Sequence, residues 1–171
     1  MKVIDGGVTA AKGFKAAATA AEIKYKDRSD MALVYSSIPA KVAGVFTKNV
    51  VKAAPVKWDQ DIVKKEEFAQ AVVLNSGIAN ACTSKEGMET NEAMAQAVAD
   101  TLQIPLRSVL TASTGVIVGI IAIFSPVYIV ASSKLSEIPS TGSVTTTVHL
   151  STTAESALVA VITHSPGANV V

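Results

Sequence analysis

Two short segments carry the residue types that acyl chemistry needs. In each, an apolar run breaks into small residues, hydroxyls and a glycine. One is Leu74-Asn75-Ser76-Gly77, continuing through Ile78-Ala79-Asn80-Ala81-Cys82-Thr83; the other is Ala112-Ser113-Thr114-Gly115-Val116. Glycine lets the backbone come close to a ligand, and successive N–H groups in such a turn can converge on an anion. Donors of this kind stabilise the oxygen that becomes negative in the tetrahedral intermediate of acyl transfer. The same residues also suit plain connecting turns, since glycine and serine are common turn formers. Spacing alone leaves both readings open.

Other candidates are weaker. Cys82 as a nucleophile would need a base, and the only histidines, His149 and His164, stand in the least patterned part of the chain. A small packed side chain is the expectation for Cys82. Two histidines and one cysteine make no convincing zinc site. Gly6-Gly7 lacks the spacing of a nucleotide loop, and no phosphate-loop lysine pattern occurs, so no metal and no bound cofactor is expected. Lys12, Lys15, Lys24, Lys26 and Arg28 read as a solvated face.

Positioning these turns requires strands and helices of mixed α/β type. Met31–Ser36 and Val42–Thr47 read as short strands joined across Ile38-Pro39. Ala71–Leu74 reads as a buried strand entering Asn75-Ser76-Gly77. Thr90 or Asn91 can cap a helix whose Met94, Ala97, Val98 and Leu102 fall on one face, and Ile104-Pro105 ends it. Val109–Thr111 then resumes as a strand, while Ser143–Leu150 and Ala157–Thr163 resemble two more.

Composition sets the outer bounds. A chain of 171 residues, 49% hydrophobic and 17% charged, is suited to a packed core and not to disorder. A net charge of +1 supplies no electrostatic footprint for nucleic acid or for an anionic membrane. One cysteine excludes an internal disulfide, and the start shows no secretory signal, so the cytoplasm is the expected compartment. Charge is unevenly spread: 26 charged residues precede Ser108, and only Lys134, Glu137 and Glu155 follow it, among 20 serines and threonines. The apolar run Val116–Ala131 is sixteen residues long, rich in Val and Ile and interrupted by Gly119, Ser125 and Pro126. A spanning helix needs about 20 apolar residues. Buried strand is therefore the reading preferred over a membrane segment.

Four segments in register resemble one family. They are Gly7-Val8-Thr9-Ala10-Ala11-Lys12-Gly13-Phe14; Pro39-Ala40-Lys41-Val42-Ala43-Gly44-Val45-Phe46-Thr47 with Asn49 and Val51-Lys52-Ala53-Ala54-Pro55-Val56; Asn75-Ser76-Gly77 with Ala79-Asn80-Ala81-Cys82-Thr83; and Ala112-Ser113-Thr114-Gly115-Val116-Ile117. Together they resemble the N-terminal part of the ornithine acetyltransferase family of arginine biosynthesis, over residues 1 to about 119. The resemblance implies a layered α/β fold of αββα type. It also implies a precursor that cleaves itself into two chains, the second beginning with a nucleophilic threonine. That hydroxyl takes acetyl from N-acetylornithine and passes it to glutamate; bifunctional members also use acetyl-CoA as a co-substrate. Carried over by position, Thr114 and Gly115 form the oxyanion hole.

Departures from the family pattern are local at first. Ile78 stands where a second asparagine is usual, Ser84 where glycine follows the Cys-Thr pair, and Ala18 and Glu22 where glycines are common. Beyond Gly119 the family's substrate segment and the run before its cleavage point are not recognisable, and no counterpart of the nucleophilic threonine is found. The expected organisation is an acetyltransferase-like region, 1–119, and an uncharged tail, 120–171, replaced or shifted in frame. The expected function is acetyl transfer, with this chain supplying the oxyanion hole to a second chain in a hetero-oligomer. The alternatives are a non-catalytic subunit or truncated pseudoenzyme, and a self-processing amidase or aminopeptidase.

Overall fold

A computed structural model describes residues 6–117 in full, and 144–150 and 158–164 by their backbone. Among the described residues, six strands and two α-helices follow one another along the chain. These are β1 (Phe14–Thr19), β2 (Met31–Val45), α1 (Ala54–Lys65), β3 (Phe68–Asn75), α2 (Ser84–Leu102), β4 (Val109–Ser113), β5 (Val144–Leu150) and β6 (Leu158–His164). They form one mixed sheet of order β4-β3-β2-β6-β5, with β1 also on β2. Only β3 and β4 are parallel neighbours; the other pairs are antiparallel. A parallel pair requires a crossover, and α2 supplies it. The expected mixed α/β layering is thus present as one sheet with α1 and α2 side by side, α1 against β4 and β2 and α2 against β4 and β3.

β2 corrects an expectation. The two short strands inferred around Ile38-Pro39 are one fifteen-residue strand, whose register against β3 slips between Tyr35 and Ala40. Proline cannot donate to a ladder, so the chain bulges there and continues, with residues 37–39 exposed. The first half of β2 pairs with β1 and the second with β6, on the same side, while β3 pairs on the other side over Met31–Tyr35 and Ala40–Lys41. The strands expected at 143–150 and 157–163 are β5 and β6, a hairpin attached to Lys41–Val45 of β2.

α2 corrects another. Thr90 and Asn91 do not cap it; the helix begins at Ser84, and Asn91 lies inside it, buried. No side-chain cap bond marks its start, but two side chains just upstream pack against its first turn. The Asn80 amide donates to the Gly87 carbonyl and the Thr83 hydroxyl donates to the Asn80 side-chain oxygen. The buried face then follows the expected period through Met94, Ala95, Val98 and Ala99. Gln103, in the left-handed conformation, ends the helix just before Ile104-Pro105. α1 was not foreseen. Pro55 suits its first turn, and Val56, Trp58, Asp59 and Ile62 face the sheet.

The core sits between this helix pair and β3–β4. Ile62, Ala69, Ala71, Val73, Ala95 and Val109 are fully buried. At the rim, Arg107 pairs with Asp61 at 2.7 Å and lies 5.3 Å from the centre of the Trp58 ring, tying α1 to the entry of β4. Lys65 and Arg107 beside Asp61 hold its carboxyl below the usual carboxylate range.

Candidate functional site

The two glycine turns lie side by side at the ends of the parallel pair. Leu74 is opposite Ala112 and Asn75 opposite Ser113, and the pairing continues past the strands as a parallel bridge between Ile78 and Val116. Three backbone bonds join the turns: Thr114 N–H to the Asn75 carbonyl (3.0 Å), Val116 N–H to that of Gly77 (3.2 Å), and Ala79 N–H to that of Val116 (3.1 Å). Side chains add two more, since the Ser113 hydroxyl donates to the Asn75 side-chain oxygen and the Asn75 amide donates to the Ile78 carbonyl. Asn75 thus serves both turns, a role that spacing did not single out.

Gly115 is where the two backbones come closest. Its φ of +132° is disfavoured for residues with a side chain, and a Cβ built there would overlap the carbonyl carbon of Gly77 and lie 2.5 Å from its oxygen. Both reasons demand glycine. Alternate residues of an extended chain point to opposite sides. Thr114 and Val116 direct their N–H groups to the β3 side, which leaves Gly115 N–H unbonded among the described residues and on the outer side. Thr114 and Gly115 are both exposed. Of the two donors expected at Thr114–Gly115, the Thr114 backbone N–H is spent on Asn75; its hydroxyl has no partner among the described residues.

Among the described strands β4 lies at an edge of the sheet, and α1 closes part of that edge. Trp58 Nε1–H donates to the Val109 carbonyl at 2.9 Å, and Asp59 Oδ1 accepts from the Thr111 N–H at 2.9 Å. Asp59 is 1% exposed, and its Oδ2 has no partner among the described residues. Burial pushes its carboxyl well above the usual carboxylate range, partly opposed by the two bonds from Thr111. That favours the protonated acid. No sequence pattern marked Asp59.

Cys82 departs from expectation. It is exposed, not packed, and its backbone is left-handed (φ +59°). It lines a shallow depression of about 410 Å³ with Val51, Lys52, Lys57, Ser84 and Met88, away from Thr114 and Gly115. The backbones of His149 and His164 lie in β5 and β6; most of the 116–131 run lies outside the described residues. No helix among the described residues is long and apolar enough to cross a membrane, and no cluster there could hold a metal ion.

The fold has solved counterparts. The crystal structure of arginine biosynthesis bifunctional protein ArgJ from Bacillus halodurans matches with a TM-score of 0.69 and 29% identity, over 96% of this chain and 92% of that one. Ornithine acetyltransferase from Mycobacterium tuberculosis, solved with ornithine, matches with a TM-score of 0.63 and 42% identity, over 68% of this chain and 63% of that one. These define an acetyltransferase-type α/β architecture. A profile of the ArgJ family matches residues 15–170, and the chain belongs to that family. Among curated relatives, the ArgJ protein of Gloeobacter violaceus is 49% identical over 114 residues, which are 67% of this chain and 28% of that protein. The ArgJ protein of Caldanaerobacter subterraneus is 48% identical over 117 residues, also 28% of its length. The chain therefore spans well under half the length of the curated relatives it matches. The family profile includes the tail that was expected to fall outside the pattern, whereas these pairwise matches cover only about two-thirds of the chain.

Proposed function

We propose that this chain supplies the oxyanion-stabilising side of an enzyme that moves an acetyl group from N-acetylornithine to glutamate. The observation that carries this reading is the Gly115 turn, whose N–H is free among the described residues and faces outward beside an unpartnered Thr114 hydroxyl. Membership of the ArgJ family supports it, because curated members are named arginine biosynthesis bifunctional proteins.

In this reading a second chain brings a terminal threonine. Its hydroxyl oxygen attacks the acetyl carbonyl of N-acetylornithine while its own amine takes the proton. The carbonyl oxygen becomes an anion and is held by Gly115 N–H and the Thr114 hydroxyl. Collapse breaks the amide bond, and ornithine leaves as the amine after taking that proton. The glutamate amine then attacks the acetyl ester through the same oxyanion, its proton passing by way of the threonine amine to the threonine oxygen as the ester bond breaks. Acetyl-CoA would enter the same cycle as an alternative acetyl donor, with no resident cofactor. Residues 1–119 form the acetyltransferase-like region, and the β5–β6 hairpin within the 120–171 tail extends its sheet at β2, the hetero-oligomer being cytoplasmic.

The test is reconstitution. Mixing this chain with the second chain of an ArgJ relative should restore acetyl exchange from N-acetylornithine to glutamate. Binding of the two chains without exchange would reject catalysis in favour of a non-catalytic subunit.

A further inference from the structure

We propose that Trp58 and Asp59 together act as a surrogate strand on the outer edge of β4 and so position the donors at Thr114 and Gly115. This rests on the proposed function above, in which those donors meet the oxyanion. Asp59 is a positioning residue here and touches no reacting atom.

An edge strand presents a row of free N–H and C=O groups that a further strand would normally take. Val109 and Thr111, two residues apart, face the same outer side, because Leu110, Ala112 and Thr114 face β3 in the parallel ladder. α1 fills those two places with side chains: the indole N–H donates to the Val109 carbonyl and the carboxyl accepts the Thr111 N–H. One donor and one acceptor are what a neighbouring strand would offer. Trp58 and Asp59 are consecutive on a helix that packs along β4, so both bonds hold the strand against one rigid body. Ser113 and Gly115 continue the outer row past these two bonds, toward the exposed end of the strand.

The buried acid is costly, and that cost argues for a role. An apolar residue at 59 would suit the surroundings of Ile62 and Val109, which are fully buried. It would also leave the Thr111 N–H without an acceptor, and an orphaned buried amide is itself destabilising. Burial shifts this carboxyl toward its protonated form, and a protonated carboxyl still offers one oxygen as acceptor, so the clamp needs no charge.

The experiment uses the full chain labelled with nitrogen-15. Asp59→Leu keeps the branched shape at a larger volume and removes the acceptor; Asp59→Asn keeps both size and acceptor and removes the acid. With Asp59→Leu, the Thr111 amide should exchange at least about tenfold faster relative to Leu110, the expectation for losing one hydrogen bond of roughly 1.4 kcal/mol, and the Gly115 amide resonance should move. With Asp59→Asn both should stay at their wild-type values, and so should kcat and KM in the two-chain assembly. Unchanged Thr111 exchange and Gly115 resonance in Asp59→Leu overturn the proposal. If Asp59→Leu does not fold, a displaced Gly115 resonance in Asp59→Asn overturns it and a retained one supports it. A Gly115 shift with kcat unaffected upholds the clamp and rejects the oxyanion reading instead.

Discussion

At Gly115 a single methyl group would undo the turn. A side chain there is opposed twice, by φ +132° and by the Gly77 backbone. Gly115→Ala should cost roughly 2 to 4 kcal/mol in urea unfolding, the sum of backbone strain and overpacking; a cost under about 0.5 kcal/mol would mean that the turns do not meet as described. Ser84 and Glu22 invert the argument. Both stand where the family resemblance implies glycine, and both are left-handed, at φ +52° and +53°. Left-handed geometry costs a residue with a side chain about 1 kcal/mol, and glycine returns a similar amount as chain entropy. Ser84→Gly and Glu22→Gly should therefore leave the unfolding midpoint nearly unchanged or raise it; a clear loss in either would contradict the strain assigned there. Asp59 has its own pH signature. Its folded pKa is raised above the unfolded value of about 3.9, so the folded state takes up a proton. Its contribution is fully present below that unfolded value and is lost as pH rises through the folded one, at up to about 1.4 kcal/mol per pH unit. Wild type should gain on Asp59→Asn as pH falls from 7 toward 4, measured by urea unfolding of both; a constant difference would show that Asp59 has an ordinary pKa.

Among the elements, α2 and α1 differ in what their sequences reveal. The apolar period of Met94 and Val98 and the Ile104-Pro105 stop make most of α2 legible. Its first two turns are not, because Gly87 and Asn91 read as breakers or caps when their neighbours are unknown. Gly87 is tolerated since a Cβ there would overlap the Thr83 hydroxyl oxygen and lie 2.5 Å from the Asn80 side-chain oxygen. Alanine is worth about 1 kcal/mol over glycine in an open helix. Here Gly87→Ala should instead destabilise by about 1 to 2 kcal/mol, since overpacking outweighs propensity; a more stable variant, by the same urea unfolding, would mean that Asn80 and Thr83 do not pack against Gly87 as described. α1 is hidden for a different reason. Asp59 interrupts its buried face with a residue type that normally marks solvent, and only the Thr111 amide explains it. β2 hides its continuity at Ile38-Pro39, where a bulge and a turn look alike in sequence.

The whole molecule depends on pairings far apart in sequence, and these are least legible. Nothing in residues 41–45 announces β6 as a partner 118 residues away, although Lys41↔Thr163 to Val45↔Val159 is a regular antiparallel ladder. Strand-like composition at 143–150 and 157–163 was visible; the edge it would occupy was not. The candidate site was legible at Thr114 and Gly115 as residue types, but which donors stay free was decided by the ladder to Asn75 and Gly77. The central claim is that the Thr114 hydroxyl and the Gly115 N–H hold a developing oxyanion. The most direct measurement is kcat for acetyl transfer by the two-chain assembly carrying Thr114→Ala, beside Thr114→Ser. Loss of one such donor should lower kcat about 100- to 1000-fold with little change in KM, while serine retains most of the rate. An alanine variant that turns over as fast as wild type would contradict the account.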